Sequence, residues 1–340
     1  MDILTQGLLG AVLAQTCARK DQTRIATGIG FASGLLADVD ALIRSSTDPL
    51  LTLEYHRHFT HSLVFIPIGA LIAALILWPL VRKRLEFPQL YLYSLLGYSL
   101  SGSLDVCTSY GTHLLWPFVN EPIALHLISI VDPVFSFTLL IAMVFAIKRH
   151  SRIVARVGLA LAGVYILFGL AQNQRAESVI EAMAVERGHV IERLAVKPTL
   201  GNMLLWRTIY QTDGRLYVDS VRVGLMSESR VYQGDSAALF KLERDLTNLS
   251  SSSVLYDDIQ RFIKFSDGFV VMHPDKPNVL ADMRYSNVPT SINPLWGIEL
   301  DMTQPEQHVK YNFYRDLSKE NRQRFISMVL NKEVDGVNNK

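Results

Sequence analysis

The sequence is short of cysteine, with two residues in 340, Cys17 and Cys107, both in or beside apolar segments and in no Cys-x-x-Cys spacing. That excludes a disulfide framework and a thiolate zinc site. An excess of charge of either sign is also lacking. With 33 Lys and Arg against 32 Asp and Glu, a net charge of +1 and no basic block, nothing marks a nucleic-acid binder. The Met-Asp start has no cationic n-region, so residues 3–17 are expected to be retained structure and membrane targeting to come from internal spans. No internal repeat or long linker is visible.

Charge is thin in the first half. Residues 1–172 hold 12 Lys and Arg and 10 Asp and Glu, leaving 21 and 22 for residues 173–340. The overall hydrophobic fraction of 49% therefore averages two unlike parts. The expected fold is an α-helical polytopic membrane domain (1–172, about six apolar helices) followed by a soluble mixed α/β domain (173–340). Apolar segments run near 3–17, 25–37, 60–81, 89–105, 131–147 and 153–172, and residues 63–81 carry no charge at all. The first, second and fourth are short of the roughly 20 residues a spanning helix needs. Arg19, Lys20 and Arg24, then Arg82, Lys83 and Arg84, then Lys148, Arg149 and Arg152 cluster in alternate loops. The positive-inside rule makes those loops cytoplasmic, which places both termini and the second domain outside.

In the second half, 203–211 and 215–224 flank Thr212-Asp213-Gly214 as a hairpin. Helices are expected at 173–187, 237–246, 256–265 and 319–330, strands at 268–273 and 279–285, and a loop at Ser250–Ser253. No catalytic signature appears there; His189, His273 and His308 are isolated.

The chemistry concentrates in the first half, on the outer side that the loop charges imply. Asp38 and Asp40 end the second segment; His56, His58 and His61 open the third; Asp105 ends the fourth and Asp132 opens the fifth. Asp-x-Asp and a histidine-rich stretch are the hard-oxygen and imidazole donors that a divalent metal takes. An extended backbone would send Asp38 and Asp40 to one side, whereas a helix would separate them. His56 and His61 would diverge by roughly 140° on one helix, so if both are ligands the helix starts between them, with Thr60 as a cap. Carboxylates at membrane depth are costly and by default functional, although Asp132 before Pro133 is also a good N-cap with proline at the first helical position.

The motifs Met1-Asp-x-Leu-Thr5, Ala37-Asp-Val-Asp40, His56-Arg-His-Phe-Thr-His-Ser62, Leu104–Phe118 and Ile130-Val-Asp-Pro133 resemble the YdjM-like group of bacterial inner-membrane proteins, described as membrane-bound metal-dependent hydrolases, over about the first 140 residues. The resemblance implies Asp38, Asp40, His56, His61 and Asp105 as metal ligands, with Arg57 and Thr60 as supporting groups. It also implies distant kinship to zinc-dependent phospholipase C and nuclease folds. This chain departs from the group's pattern at three places: Gln6 and Ser101 stand where histidines are expected, and His126 where an acid is expected before Asp132. Two missing imidazoles reduce the site toward a mononuclear or non-catalytic one, unless His126 and His113 compensate.

The expected function is hydrolysis of a phosphoester in a lipid or lipid-linked substrate at the outer face of the inner membrane. The expected cofactor is a divalent metal, zinc before manganese, with the lipid bilayer as partner and no nucleic acid. Asp132 or Asp40 would accept the nucleophile's proton and Arg57 would hold a phosphate oxygen. The alternative is a non-catalytic membrane scaffold with a structural or degenerate metal site. A transporter is the weaker third, since the inner halves of the spans are almost wholly apolar.

Overall fold

The charge-free run is helical, as its composition demands. In the computed structural model, which describes residues 1–225 and 227–333, Leu63–Val81 is one of three helices long and apolar enough to cross a membrane; the others are Lys20–Leu42 and Arg152–Glu186. The remaining apolar helices are shorter, at 15 residues for α1 (Ile3–Cys17) and 17 for α7 (Pro133–Arg149). The about six spans expected thus become three of spanning length and several shorter helices.

Contacts divide the chain into two units, the first comprising Met1–Ile43, Tyr55–Ala171 and Leu200–Asn202. In it α1 packs on α2 (Thr23–Leu35), on α5 (Phe87–Ser99) and on α7, and α5 also packs on α4 (Ile66–Val81). A short α3 (Leu51–Tyr55) precedes α4 in the chain. Close approach of α1, α2 and α5 depends on glycine: a Cβ on Gly10 would lie 2.5 Å from the Gly30 carbonyl and 2.6 Å from that of Gly97. The outward face of α4 exposes Ile68, Leu71, Ile72, Leu75, Ile76 and Leu80. Such a contiguous apolar surface suits lipid. The fourth apolar segment is broken at Leu100, where α5 gives way to α6 (Ser101–Val106), and α8 (Arg152–Glu186) follows α7.

The second unit comprises Arg44–Glu54, Gln172–Thr199 and Met203 onward. It holds two four-stranded antiparallel sheets, each with its strands in sequence order. The first is β1 (Arg193–Pro198), β2 (Leu205–Thr212), β3 (Arg215–Arg222) and β4 (Arg230–Ala238); the second is β5 (Val270–His273), β6 (Lys276–Asp282), β7 (Trp296–Glu299) and β8 (Lys310–Phe313). The β2–β3 hairpin turns at Asp213 and Gly214, both at positive φ, the primed geometry that matches strand twist. The helix expected at 237–246 shrinks to α9 (Leu242–Asp245), because Arg230–Ala238 pairs along β3 instead. Cross-strand pairing there overrides local propensity. Helices α10 (Val254–Phe265) and α11 (Lys319–Val329) complete the unit.

Residues 44–54 sit between two apolar segments in sequence yet belong to this second unit. Leu50 joins Leu255, Ile259 and Phe262 of α10 in its core. Arg261 ties the segment down, its Nη2 2.8 Å from Asp48 Oδ2 and its Nε 2.6 Å from Glu54 Oε1.

Candidate metal centre

The centre is built where the chain stops being α-helical. Leu36–Leu42 forms a 3-10 turn and so does Phe59–His61. Asp38 and Asp40, two apart on so tight a turn, diverge, and the divergence places them at opposite nitrogens of one ring: His61 Nε2 is 3.4 Å from Asp38 Oδ1 and His61 Nδ1 is 3.2 Å from Asp40 Oδ2. His61 Nε2 is also 3.1 Å from Asp105 Oδ2. Asp105 sits on α6, one turn after Ser101, and is buried along with His61 and Asp40. Gly102 makes room for this, because a Cβ there would strike the carbonyl oxygen of His61.

Between His56 and His61 only a 3-10 turn begins, Phe59–His61, and the α-helix starts after both. Ser62, not Thr60, caps the following turn, its hydroxyl accepting from Phe65 N. Thr60 donates its hydroxyl to Asp40 Oδ2 at 2.8 Å and lies 3.0 Å from His61 Nδ1. His56 Nδ1 is 3.4 Å from Asp40 Oδ1 and keeps 27% of its side chain exposed, at the rim. His58 packs at a tilt against His113, with centroids 4.4 Å apart, and against Trp116.

Arg57 occupies a left-handed backbone conformation, φ 59°, which is strained for a residue with a side chain. Its N–H donates to Asp40 Oδ2 at 2.7 Å, a short bond to a carboxylate that holds the strained turn. The guanidinium is buried: Nε is 3.3 Å from Asp105 Oδ2, Nη1 donates to Thr108 Oγ1 at 2.9 Å and Nη2 to the Met1 carbonyl. The α-amine of Met1 pairs with Asp105 Oδ1.

Gln6, standing where an imidazole is expected, donates through Nε2 to Asp105 Oδ2 at 3.0 Å and to Asp38 Oδ1 at 3.4 Å. Ser101, the other departure, is buried with no hydrogen-bond partner for its hydroxyl among the described residues. Asp132 is engaged elsewhere: it caps α7 by accepting from Phe135 N at 3.1 Å, and both its oxygens receive the Tyr165 hydroxyl. His126, at φ 55°, donates its backbone N–H to the Thr108 carbonyl. Sequence reasoning overlooked Tyr98, whose hydroxyl donates to the Thr60 carbonyl at 2.7 Å, and Tyr110, which packs edge-on against His56 and under Arg57.

The donor set suits one ion. Asp38, His61 and Asp105 each offer a ligand atom within 4.8 Å of the others, and His61 Nε2 is buried between the two carboxylates without a well-formed hydrogen bond. Asp40, on the other ring nitrogen, is in the place of the carboxylate that orients a metal-binding imidazole. Gln6 and Arg57 already spend donors on the same carboxylates, so the described residues do not build a second position.

The chain is similar to the uncharacterized protein YfhP of Bacillus subtilis (strain 168), with 27% identity over 182 residues, 53% of this chain and 54% of that protein. It thus spans about half the length of that curated relative. No solved structure matches. The model of the YdjM inner membrane protein family matches residues 1–176, the stretch that contains every ligand candidate, and the chain belongs to that family.

Proposed function

We propose that the protein is a membrane-bound metal-dependent hydrolase in which Asp38, His61 and Asp105 hold one divalent cation, and that it cleaves a phosphoester of a lipid or lipid-linked substrate at the outer face of the inner membrane. The observation that carries this reading is His61 Nε2, buried between two carboxylates, 3.4 Å from Asp38 Oδ1 and 3.1 Å from Asp105 Oδ2. An imidazole in the donor set favours zinc over manganese. When bound, such an ion supplies charge that polarises a phosphoryl oxygen and makes a water more acidic.

The chain's own residues divide the remaining work. Asp40 fixes the His61 ring through Nδ1. His56 is partly exposed with its Nδ1 facing Asp40, an arrangement that suits a general base whose imidazolium the carboxylate stabilises. His56 takes this role in preference to Asp132, whose oxygens are committed to the helix cap and Tyr165. Arg57, held on Asp105 and Thr108, offsets the charge of the buried carboxylate.

Elemental analysis of the detergent-purified protein tests the reading, beside Asp38→Ala, His61→Ala and Asp105→Ala variants checked for folding. Stoichiometric zinc or manganese in the parent and its loss in all three variants are expected, together with chelator-sensitive release of phosphate from phosphatidyl or polyprenyl phosphates. Metal without turnover of any phosphoester would overturn the hydrolase.

A second reading, a non-catalytic scaffold, is favoured by one observation: Gln6 and Arg57 donate to the carboxylates from within the protein. Absence of metal after reloading, with the variants destabilised, would establish it.

A further inference from the structure

The second unit contains a cleft of about 590 Å³, within the roughly 300–1,000 Å³ usual for small-molecule sites. Two sheet irregularities shape it. Pairing of β3 with β4 slips between Tyr217 and Asp219, and pairing of β5 with β6 slips between Met272 and His273. At the first, Gly234 donates its N–H to Asp219 Oδ1, and a Cβ at Gly234 would strike the Thr290 and Val218 carbonyls. Bulges of this kind re-aim side chains at the edges of functional sites.

The opposite wall is an irregular segment, 286–294, that buried Arg207 holds rigid. Its guanidinium donates to the carbonyls of Met283, Pro289 and Ser291 at 2.7–3.0 Å. Tyr314 is anchored by its N–H to the Leu295 carbonyl, and its ring meets His273 edge-on at 5.1 Å. The Tyr314 hydroxyl is buried beside the Asn312 side chain and makes no well-formed hydrogen bond. Burial also holds the His273 imidazole below its usual pKa, and its Nδ1 accepts from Asp275 N, which leaves the proton on Nε2. A preorganised wall, a hydroxyl with hydrogen-bonding capacity left over and a fixed imidazole are the features of a binding site.

The lining narrows the ligand class. Its charged groups are Asp235, Asp275 and Asp316 against Arg324, a balance that disfavours phosphate and other anions. Among the described residues those carboxylates belong to neither group close enough to share a cation, which are Asp38 with His61 and Asp105, and Asp48 with Asp258 and His308. Most of the remaining side chains are amides and hydroxyls, such as Gln233, Asn287 and Asn321, and little apolar surface is offered to an acyl chain. Amides and carboxylates that donate and accept side by side, beside an aromatic ring, match vicinal hydroxyls.

We propose that this cleft binds the rings of a neutral saccharide, with Tyr314, Asn287 and Asn321 hydrogen-bonding its hydroxyls. The site is separate from the Asp/His cluster and does not depend on its chemistry.

Saturation-transfer NMR and calorimetry on the detergent-purified full chain, with chitobiose, cellobiose and inorganic phosphate as probes, test it. At least one disaccharide is expected to bind and phosphate is not. Tyr314→Phe, which removes only the hydroxyl, and Asn321→Ala are each expected to weaken binding about fivefold or more, while surface variant Glu243→Gln leaves it unchanged. Thermal unfolding verifies that each variant is folded. Failure of both disaccharides at about 10 mM, a weaker limit than a useful site would show, overturns the proposal. So does binding that survives both cleft variants, or a preference for phosphate.

Discussion

The Oδ2 atom of Asp40 lies 3.2 Å from Nδ1 of His61, so that Nε2 of the same ring is presented to Asp105. One carboxylate thus sets the direction in which the imidazole can act. The same carboxylate also receives the Arg57 N–H and the Thr60 hydroxyl, and it links the strained turn to the ring it orients.

Asp40→Asn should therefore lower metal affinity without removing a ligand. Loss of a group that orients a ligand typically costs 10–100-fold in affinity, so an effect of about that size is expected, against abolition in Asp38→Ala and Asp105→Ala. Competition titration with a chromophoric chelator separates the two. Equal loss in all three variants would make Asp40 a ligand and not a positioning residue.

How much of this was legible in the sequence varies by residue. Asp38, Asp40, His61 and Asp105 were marked by residue type and by position at segment ends, and the structure brings them together. The sequence did not reveal that Asp38 and Asp40 would grip opposite nitrogens, because that follows from a 3-10 turn where an extended or α-helical backbone was weighed. Asp132 reads equally well as an acid or a cap, and only its partners decide. Residues 44–54 resemble a connecting loop until Leu50 is seen in the core of the second unit. Strands β1, β4, β7 and β8 were overlooked; β7 and β8 are four residues long, too short for alternation to stand out.

Restoring the expected imidazoles should strengthen the centre. Gln6 Nε2 already reaches Asp105 and Asp38, and Ser101 lies one α6 turn before Asp105, on the same face. Gln6→His and Ser101→His together are expected to tighten binding about tenfold or more and to raise the metal count toward two, since donors converging from several elements are what a second ion requires. Elemental analysis reads both quantities. Unchanged stoichiometry would mean that Arg57 and its neighbours exclude a second ion.

Gly102→Ala should break the centre from behind. Its Cβ has nowhere to go except into the His61 carbonyl, a backbone atom that cannot swing aside. Overpacking of this kind costs about 1–3 kcal/mol, and His61 would move with its carbonyl, so metal affinity should fall as well. Gly28→Ala is the control, because nothing lies within 4 Å of a Cβ there, and in a helix alanine is favoured by about 0.5–1 kcal/mol. Thermal unfolding should rank Gly28→Ala at or above the parent and Gly102→Ala below it.

Lys197 gives a prediction about pH. It is buried in β1, its Nζ has no hydrogen-bond partner among the described residues, and it lies 4.3 Å above the Tyr285 ring. Desolvation, and then repulsion from Arg284, press its pKa well below the 10.5 of a free lysine, while Asp282 opposes them. Between the lowered folded value and 10.5 the unfolded chain binds the extra proton, so stability rises with pH across that window. Lys197→Met keeps the stem's packing and removes the amine. Replacing an uncompensated buried amine by an apolar side chain should stabilise by about 1–4 kcal/mol, most at low pH, with the gain shrinking as pH approaches 10.5. Melting curves of parent and variant at about pH 7 and about pH 10 decide the matter. A gain that is constant with pH would mean that Lys197 carries its proton in the folded state as readily as in the unfolded one.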